Sequence, residues 1–280
     1  MVPPPDCRHM NAWRKLVQAY EQALRVPLPA PISNLKSQIQ NPKSKIPNSP
    51  TALLFSPHPD DECITGALPL RLQREMGWRI VNIAITLGSD PARREARRAE
   101  LHAACSILGW ETIVLGWDLR TADDARVPAL AALIREYRPA AIFYPHAADA
   151  HPAHLETHRL ATAAAAAVPE AASLIHVQTE FWHPMAEPNL LAECPPDDLA
   201  LLIEALSCHA GEVARNPYHL RLPAWMIDNV RRGAERVHGP GSPAPGFPFG
   251  TLYHVHPALP GFGKTQAGAL PEANSPKSGF

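Results

Sequence analysis

The sequence predicts an α/β fold: a Rossmann-like, doubly wound and mostly parallel sheet with a small C-terminal α+β part. Three observations carry that expectation. From Thr51 onward, short apolar runs alternate with longer segments of helical period, the pattern of a parallel sheet covered by helices. Gly109 and Pro139 stand where helical segments stop. The composition, 46% hydrophobic and 19% charged over 280 residues, is that of a globular chain able to form one large α/β domain. The right-handed crossover rule then favours the doubly wound arrangement.

The elements follow in order. Residues 1–25 read as an N-terminal helical extension, because Trp13, Leu16, Val17, Tyr20 and Leu24 fall at helical spacing between Asn11 and Arg25. Residues 26–50 are rich in Pro, Ser, Asn and Lys and read as a disordered linker. The domain proper spans 51–256. It opens with the strand "TALLFS", then a helix from Gly66 to Met76 and the strand "RIVNIAITLG". A helix from Arg93 to Leu108 leads to the strand "ETIVLG", and a helix from Val127 to Tyr137 to the strand "AAIFYP". Leu155 to Ala167 is helical and "SLIHVQTEFW" extended. Asp198–Val213 and Leu222–Val237 add helices, and "FGTLYHVH" a late strand. Residues 257–280 read as a flexible tail.

Several function classes are disfavoured at once. A net charge of −1 offers no field for nucleic acid or an anionic membrane. No run of about 18 apolar residues is present, so no membrane span is expected. The N-terminal stretch "MVPPPDCRHMNAWRK" has no apolar core of a signal peptide. Five widely spaced cysteines without a C-x-x-C point to reduced thiols in a cytoplasmic protein. The expected partner is a small molecule, and a homo-oligomer is compatible with the chain.

The chemistry concentrates in two segments. The first strand runs into Pro57-His58-Pro59-Asp60-Asp61-Glu62, and the fourth into "PHAADAHPAHLETH". In an open α/β sheet of strand order 3-2-1-4-5, the ligand crevice lies beyond the carboxyl ends of the first and fourth strands. The two clusters should therefore meet. His58 and Asp61, three apart, can aim at one point from a turn entering a helix. A third ligand from the other loop would give two histidines and one carboxylate, a zinc site with a position left for water. Fe²⁺ and Co²⁺ suit the same donors. Neighbouring Asp60 and Asp61 diverge, so one can ligate while the other handles the water proton.

These motifs closely resemble those of the PIG-L (LmbE-like) family of zinc-dependent N-deacetylases. The likeness rests on Pro57 to Glu62, on Gly66, on His151-Pro152-Ala153-His154 and on the Arg-x-x-Glu helix at Arg97 to Glu100. It covers roughly Thr51 to His209, with a weaker echo in "ALSCHAGE". The resemblance implies His58, Asp61 and His154 as zinc ligands and Asp60 as general base and later acid. It implies His151 as the group that stabilises the oxyanion and Arg97 as a substrate-positioning residue. It further implies an N-acetyl group on a glucosamine-type sugar or conjugate as the target. Ala153 departs from the family, which has an acid there; Asp149 is the nearby acid that could take its place.

Plainer readings exist for each residue. The acids after the first strand could cap a helix. Arg97 sits in the charge-rich "ARREARRAE", where a solvated face is the default. Glu62 could support a metal ligand or complement the helix dipole. His146 and His158 read as structural, His209 as an ordinary helix-end histidine, and Cys63 as a small buried residue. Trp182, Tyr218 and Trp225 suit core packing, or the floor of a sugar site. Rival functions are a zinc amidase of a larger N-acyl conjugate and a non-catalytic, metal-dependent sugar binder. A dinucleotide-binding protein would need a glycine-rich turn where this chain has "HPDDE".

Overall fold

A computed structural model describes residues 10–25, 49–121, 123–171, 173–257 and 265–266. In chain order the elements are α1 (Met10–Ala23), β1 (Thr51–Ser56), α2 (Asp61–Ile64), α3 (Ala67–Met76), β2 (Arg79–Ala84) and α4 (Arg94–Leu108). They continue with β3 (Glu111–Val114), α5 (Arg126–Tyr137), β4 (Ala141–Pro145), α6 (Pro152–Ala166) and β5 (Ile175–Thr179). The last part holds β6 (Leu190–Glu193), α7 (Pro196–Ser207), α8 (Ala210–Arg215), α9 (Tyr218–His238), β7 (Gly250–His256) and β8 (Thr265–Gln266).

The strands form one sheet in the order β3-β2-β1-β4-β5-β7-β6-β8. The first five are parallel, and β7 joins β5 and β6 antiparallel. This is the doubly wound α/β fold that the alternation of periods predicts. All six residues of β1 are buried. Their side chains alternate: Ala52 and Leu54 join the core under α3, α4 and α7, and Leu53 and Phe55 the core under α5 and α6. A strand covered on both faces must be apolar throughout, which is why "TALLFS" shows no polar alternation. A smaller cluster of Met185, Leu191, Val230, Val237, Phe247 and Leu252 seals α9 onto β6 and β7.

Helix ends follow local chemistry. Gly77 and Gly109 end α3 and α4 at φ of 69° and 68°, the left-handed conformation a glycine adopts without strain. Pro152 opens α6, where a missing N–H costs nothing.

The structure also departs from the expectations. The helix predicted from Gly66 starts at Ala67, and a separate one-turn helix, α2, carries Asp61 and Glu62. The fourth helix of the parallel half starts at Pro152, three residues earlier than predicted, so His154 lies in its first turn. β6 was too short to show a period. The helix expected over Asp198–Val213 breaks at Cys208–His209 into α7 and α8. Most of the 26–50 segment and of the 257–280 tail lies outside the described residues; within the tail, β8 pairs with β6. From Arg14 to Arg25, which takes in most of α1 and the turn after it, every residue is exposed. Among the described residues no helix is long and apolar enough to cross a membrane.

Candidate active site

β1 and β4 are hydrogen-bonded neighbours, so the loops leaving their carboxyl ends face one another. The first loop carries His58, Asp60 and Asp61; the second carries Asp149, His151 and His154. The sequence-predicted ligands do converge. Asp61 Oδ2 lies 3.4 Å from His58 Nδ1 and 3.5 Å from His154 Nε2. It also accepts the backbone N–H of His58 at 2.7 Å, which fixes the carboxylate between the two rings.

The arrangement suits a divalent ion. Donors about 2.0–2.1 Å from a tetrahedral centre stand about 3.3–3.4 Å from one another, close to the spacings found. Those spacings are too long for good hydrogen bonds. Asp61 Oδ1 and His154 Nε2 are buried without a hydrogen-bond partner, and such orphaned atoms call for an occupant.

His151 also lies close: one ring nitrogen from each of His58, His151 and His154 falls within 4.8 Å of the others. Its hydrogen bond argues for a different role. His151 is the N-cap of α6, and its Nδ1 accepts the N–H of Ala153 at 3.2 Å. A neutral ring accepting at Nδ1 carries its proton on Nε2, so it offers the site a donor and not a lone pair. Burial, with help from His58 and His154, pushes the His151 pKa down and favours that neutral form. His154 is set the opposite way. Its Nδ1 faces Asp149 Oδ2 at 3.3 Å, which puts the proton on Nδ1 and leaves the Nε2 lone pair towards Asp61. Asp149 thus supplies the carboxylate missing at Ala153, but to His154; from His151 it accepts only the backbone N–H, at 2.9 Å.

The two adjacent acids differ in the metal-free chain. Burial, and then the charge of Asp61, hold Asp60 well above the usual carboxylate range, with Arg97 opposing. Burial would also raise Asp61, but His154 and His58 outweigh it and bring it to about 2. Two carboxylates driven apart in this way are suited to different tasks, one exchanging a proton and one staying ionised. Asp60 has a positive φ of 119°, a conformation costing a non-glycine residue about 1–3 kcal/mol. Two contacts hold it there. Arg97 Nη2 donates to the Pro59 carbonyl at 2.9 Å, and Glu62 Oε2 accepts the Asp60 N–H at 2.9 Å.

A cavity of about 360 Å³ opens over this turn, lined by His58, Asp60, Arg97, His151, Trp182 and Tyr218 among others. The structure brings Arg97 to the wall, with Nη1 3.5 Å from Glu212 Oε1. Gly88 lies against it: at φ 82°, a Cβ there would stand 2.3 Å from Arg97 Nη1. Trp182 is 46% exposed and stacks on His151. Trp225 stacks on Phe181 and belongs to the apolar packing. His146 and His158 bond backbone carbonyls, a structural role. Cys63 is fully buried, and burial pushes its thiol pKa far up.

One group went unrecognised by the motif reading. His209 is not an ordinary helix-end histidine: its Nε2 lies 2.7 Å from Glu62 Oε1, and both residues are fully buried. Asp149 was noticed only as a neighbour in sequence. The "ALSCHAGE" stretch was the available signal for His209, but spacing alone could not pair it with a residue 147 positions away.

Residues 53–165 match the family model described as PIG-L: GlcNAc-PI de-N-acetylase. No curated protein sequence matches. Among solved structures, a conserved protein of Thermus thermophilus is 21% identical with a TM-score of 0.59, covering 74% of this chain and 96% of its own. The 4-carboxy-2-hydroxymuconate hydratase of Pseudomonas putida is 18% identical, with a TM-score of 0.62 and coverage of 75% and 98%. The N,N'-diacetylchitobiose deacetylase of Pyrococcus horikoshii is 18% identical, with a TM-score of 0.60 and coverage of 91% and 95%. At these identities the likeness establishes the fold.

Proposed function

We propose that this protein, whose residues 53–165 match the PIG-L family model, is a metal-dependent N-deacetylase acting on a glucosamine-type sugar or its conjugate. The observation that carries the reading is the placement of Asp61 between His58 and His154, with the second buried acid, Asp60, beside it on the cavity wall. The family description and the likeness to a chitobiose deacetylase support the N-acetyl sugar.

His58, Asp61 and His154 would hold the ion. Two imidazoles and a carboxylate suit Zn²⁺, and accept Fe²⁺ or Co²⁺ as well. Such an ion, when bound, acidifies water and polarises an amide carbonyl. Asp60 takes the proton of the attacking water and later delivers it to the departing nitrogen. His151 donates from Nε2 to the negative charge that develops on the amide oxygen, and its fixed tautomer makes that donor available in advance. Arg97 holds the Pro59 carbonyl and faces the cavity, so it orients both the loop and the substrate. The products are acetate and a free amine.

The test is to incubate metal-analysed protein with N-acetylglucosamine conjugates and measure acetate and amine in equal amounts. A longer carboxylic acid in place of acetate would identify an amidase of a larger acyl group. Binding without either product would identify a sugar-binding protein. Because a hydratase shares the fold, acetate is the required product and substrate loss alone does not suffice. Sedimentation of the pure protein tests the proposed homo-oligomer, and fractionation of cells the proposed cytoplasmic location.

A further inference from the structure

We infer that His209 is a positioning residue that sets the backbone of Asp60 through Glu62. The chain of contacts is short and closed to water. His209 Nε2 donates to Glu62 Oε1 at 2.7 Å, and the other oxygen, Oε2, accepts the Asp60 N–H at 2.9 Å. His209 and Glu62 are fully buried and Asp60 nearly so. Each carboxylate oxygen is thus engaged by a different partner, which leaves the Glu62 side chain little freedom to rotate. A carboxylate accepts charge-assisted hydrogen bonds, the stronger kind, and here one holds the N–H of a residue at φ 119°. The opposite side of the turn is held by Arg97 on the Pro59 carbonyl.

The link reaches the site from outside the PIG-L match, since His209 lies beyond residue 165. His209 precedes α8, and the same stretch is pinned twice more. Glu100 Oε1 accepts the Gly211 N–H at 3.3 Å, and Glu212 pairs with Arg97. The Arg93 guanidinium lies over Gly211, where a Cβ would fall 1.8 Å from it. The Glu100 and Glu212 contacts anchor the segment that carries the His209 ring.

The inference rests on Asp60 being the general base, so the experiment reads both activity and the Asp60 amide itself. Four proteins are compared: wild type, His209→Leu, His209→Asn and His209→Gln. Gln places an N–H near the imidazole Nε2 and can reach Glu62; Asn places its amide near Nδ1 and cannot. We expect Leu and Asn to lower kcat by about 10²-fold, the usual effect of a small misplacement, with KM and bound metal unchanged. The Asp60 amide resonance should move upfield and exchange faster in both. Gln should stay close to wild type in every readout. If His209→Leu does not fold, the Asn and Gln pair decides the question. Folded Leu or Asn variants with wild-type kcat and an unmoved Asp60 amide would overturn the inference. So would a Gln variant as impaired as Leu or Asn, or metal loss in step with kcat. A wild-type protein that releases no acetate counts against the deacetylase reading instead, and the amide resonances still decide the role of His209.

Discussion

The carboxylate of Asp149 stands 3.3 Å from Nδ1 of His154, while Asp61 stands 3.5 Å from Nε2 of the same ring. One imidazole therefore bridges two acids. The outer acid fixes the tautomer that the inner position needs. Asp149→Ala is expected to weaken metal binding by about 10–100-fold, as loss of a carboxylate behind a histidine ligand commonly does. Titration against a chelator of known affinity checks this. Unchanged affinity would mean that Ala153 has no substitute and that His154 is oriented by packing alone.

His58→Ala and His154→Ala should each emerge without stoichiometric metal, because each removes one of three proposed donors. Elemental analysis of the folded variants is the measurement. Chelation of the wild type should likewise abolish turnover, with recovery on adding Zn²⁺. A bound ion should also raise the melting temperature, since a ligand at 100 times its Kd stabilises by about 2.7 kcal/mol.

Asp60→Asn and Asp61→Ala should fail differently. The first keeps the fold and most of the metal while kcat falls by about 10²–10⁴, the worth of a positioned acid–base group. The second loses metal affinity and regains part of its activity in excess Zn²⁺. Metal content and turnover, measured on both side by side, decide the matter; metal-free Asp60→Asn with metal-replete Asp61→Ala would reverse the two roles.

The pH profile carries a sign. A general base works when ionised, so the acid limb of kcat/KM falls as pH drops through its pKa. Burial raises the Asp60 pKa and Arg97 lowers it. Arg97→Gln removes the cation and should move the acid limb to higher pH. The limb belongs to coupled groups, so its displacement is the observable and not its absolute position. A limb that stays in place or moves to lower pH would separate Arg97 from the ionisation of the base.

Gly66 supports the same turn by its size. A Cβ there would lie 2.4 Å from the Glu62 carbonyl oxygen, with Leu202 and Trp110 each at 3.0 Å. Gly66→Ala should destabilise the fold by about 1–3 kcal/mol, the range for overpacking. A thermal melt matching wild type would show that the α2–α3 junction yields.

Much of this was legible in the sequence. Apolar runs such as Leu53 to Phe55 had to be buried strands, and the helices between them fixed the parallel order. The same topology predicts that the loops carrying His58 and His154 meet. What escaped were features set by long-range packing. Leu190–Glu193 is too short to show a period, and the break at Cys208–His209 has no glycine or proline to mark it. His209 looked ordinary because its meaning lies in Glu62, and residue spacing does not encode a contact of that reach. The role of Asp149 was hidden in another way. The family pattern directs attention to position 153, whereas the loop geometry lets an acid four residues earlier reach His154.

The separation of 147 residues between Glu62 and His209 has a consequence for the order in which the protein matures during synthesis. His58, Asp61 and His154 are all synthesised before His209. If these three residues are the ligands proposed above, a growing chain that pairs β1 with β4 would be able to take up an ion early. The brace behind the base arrives only when the later helices dock. On the proposed roles, metal capture would then precede competence, and the half-made protein would be loaded yet idle until His209 is in place.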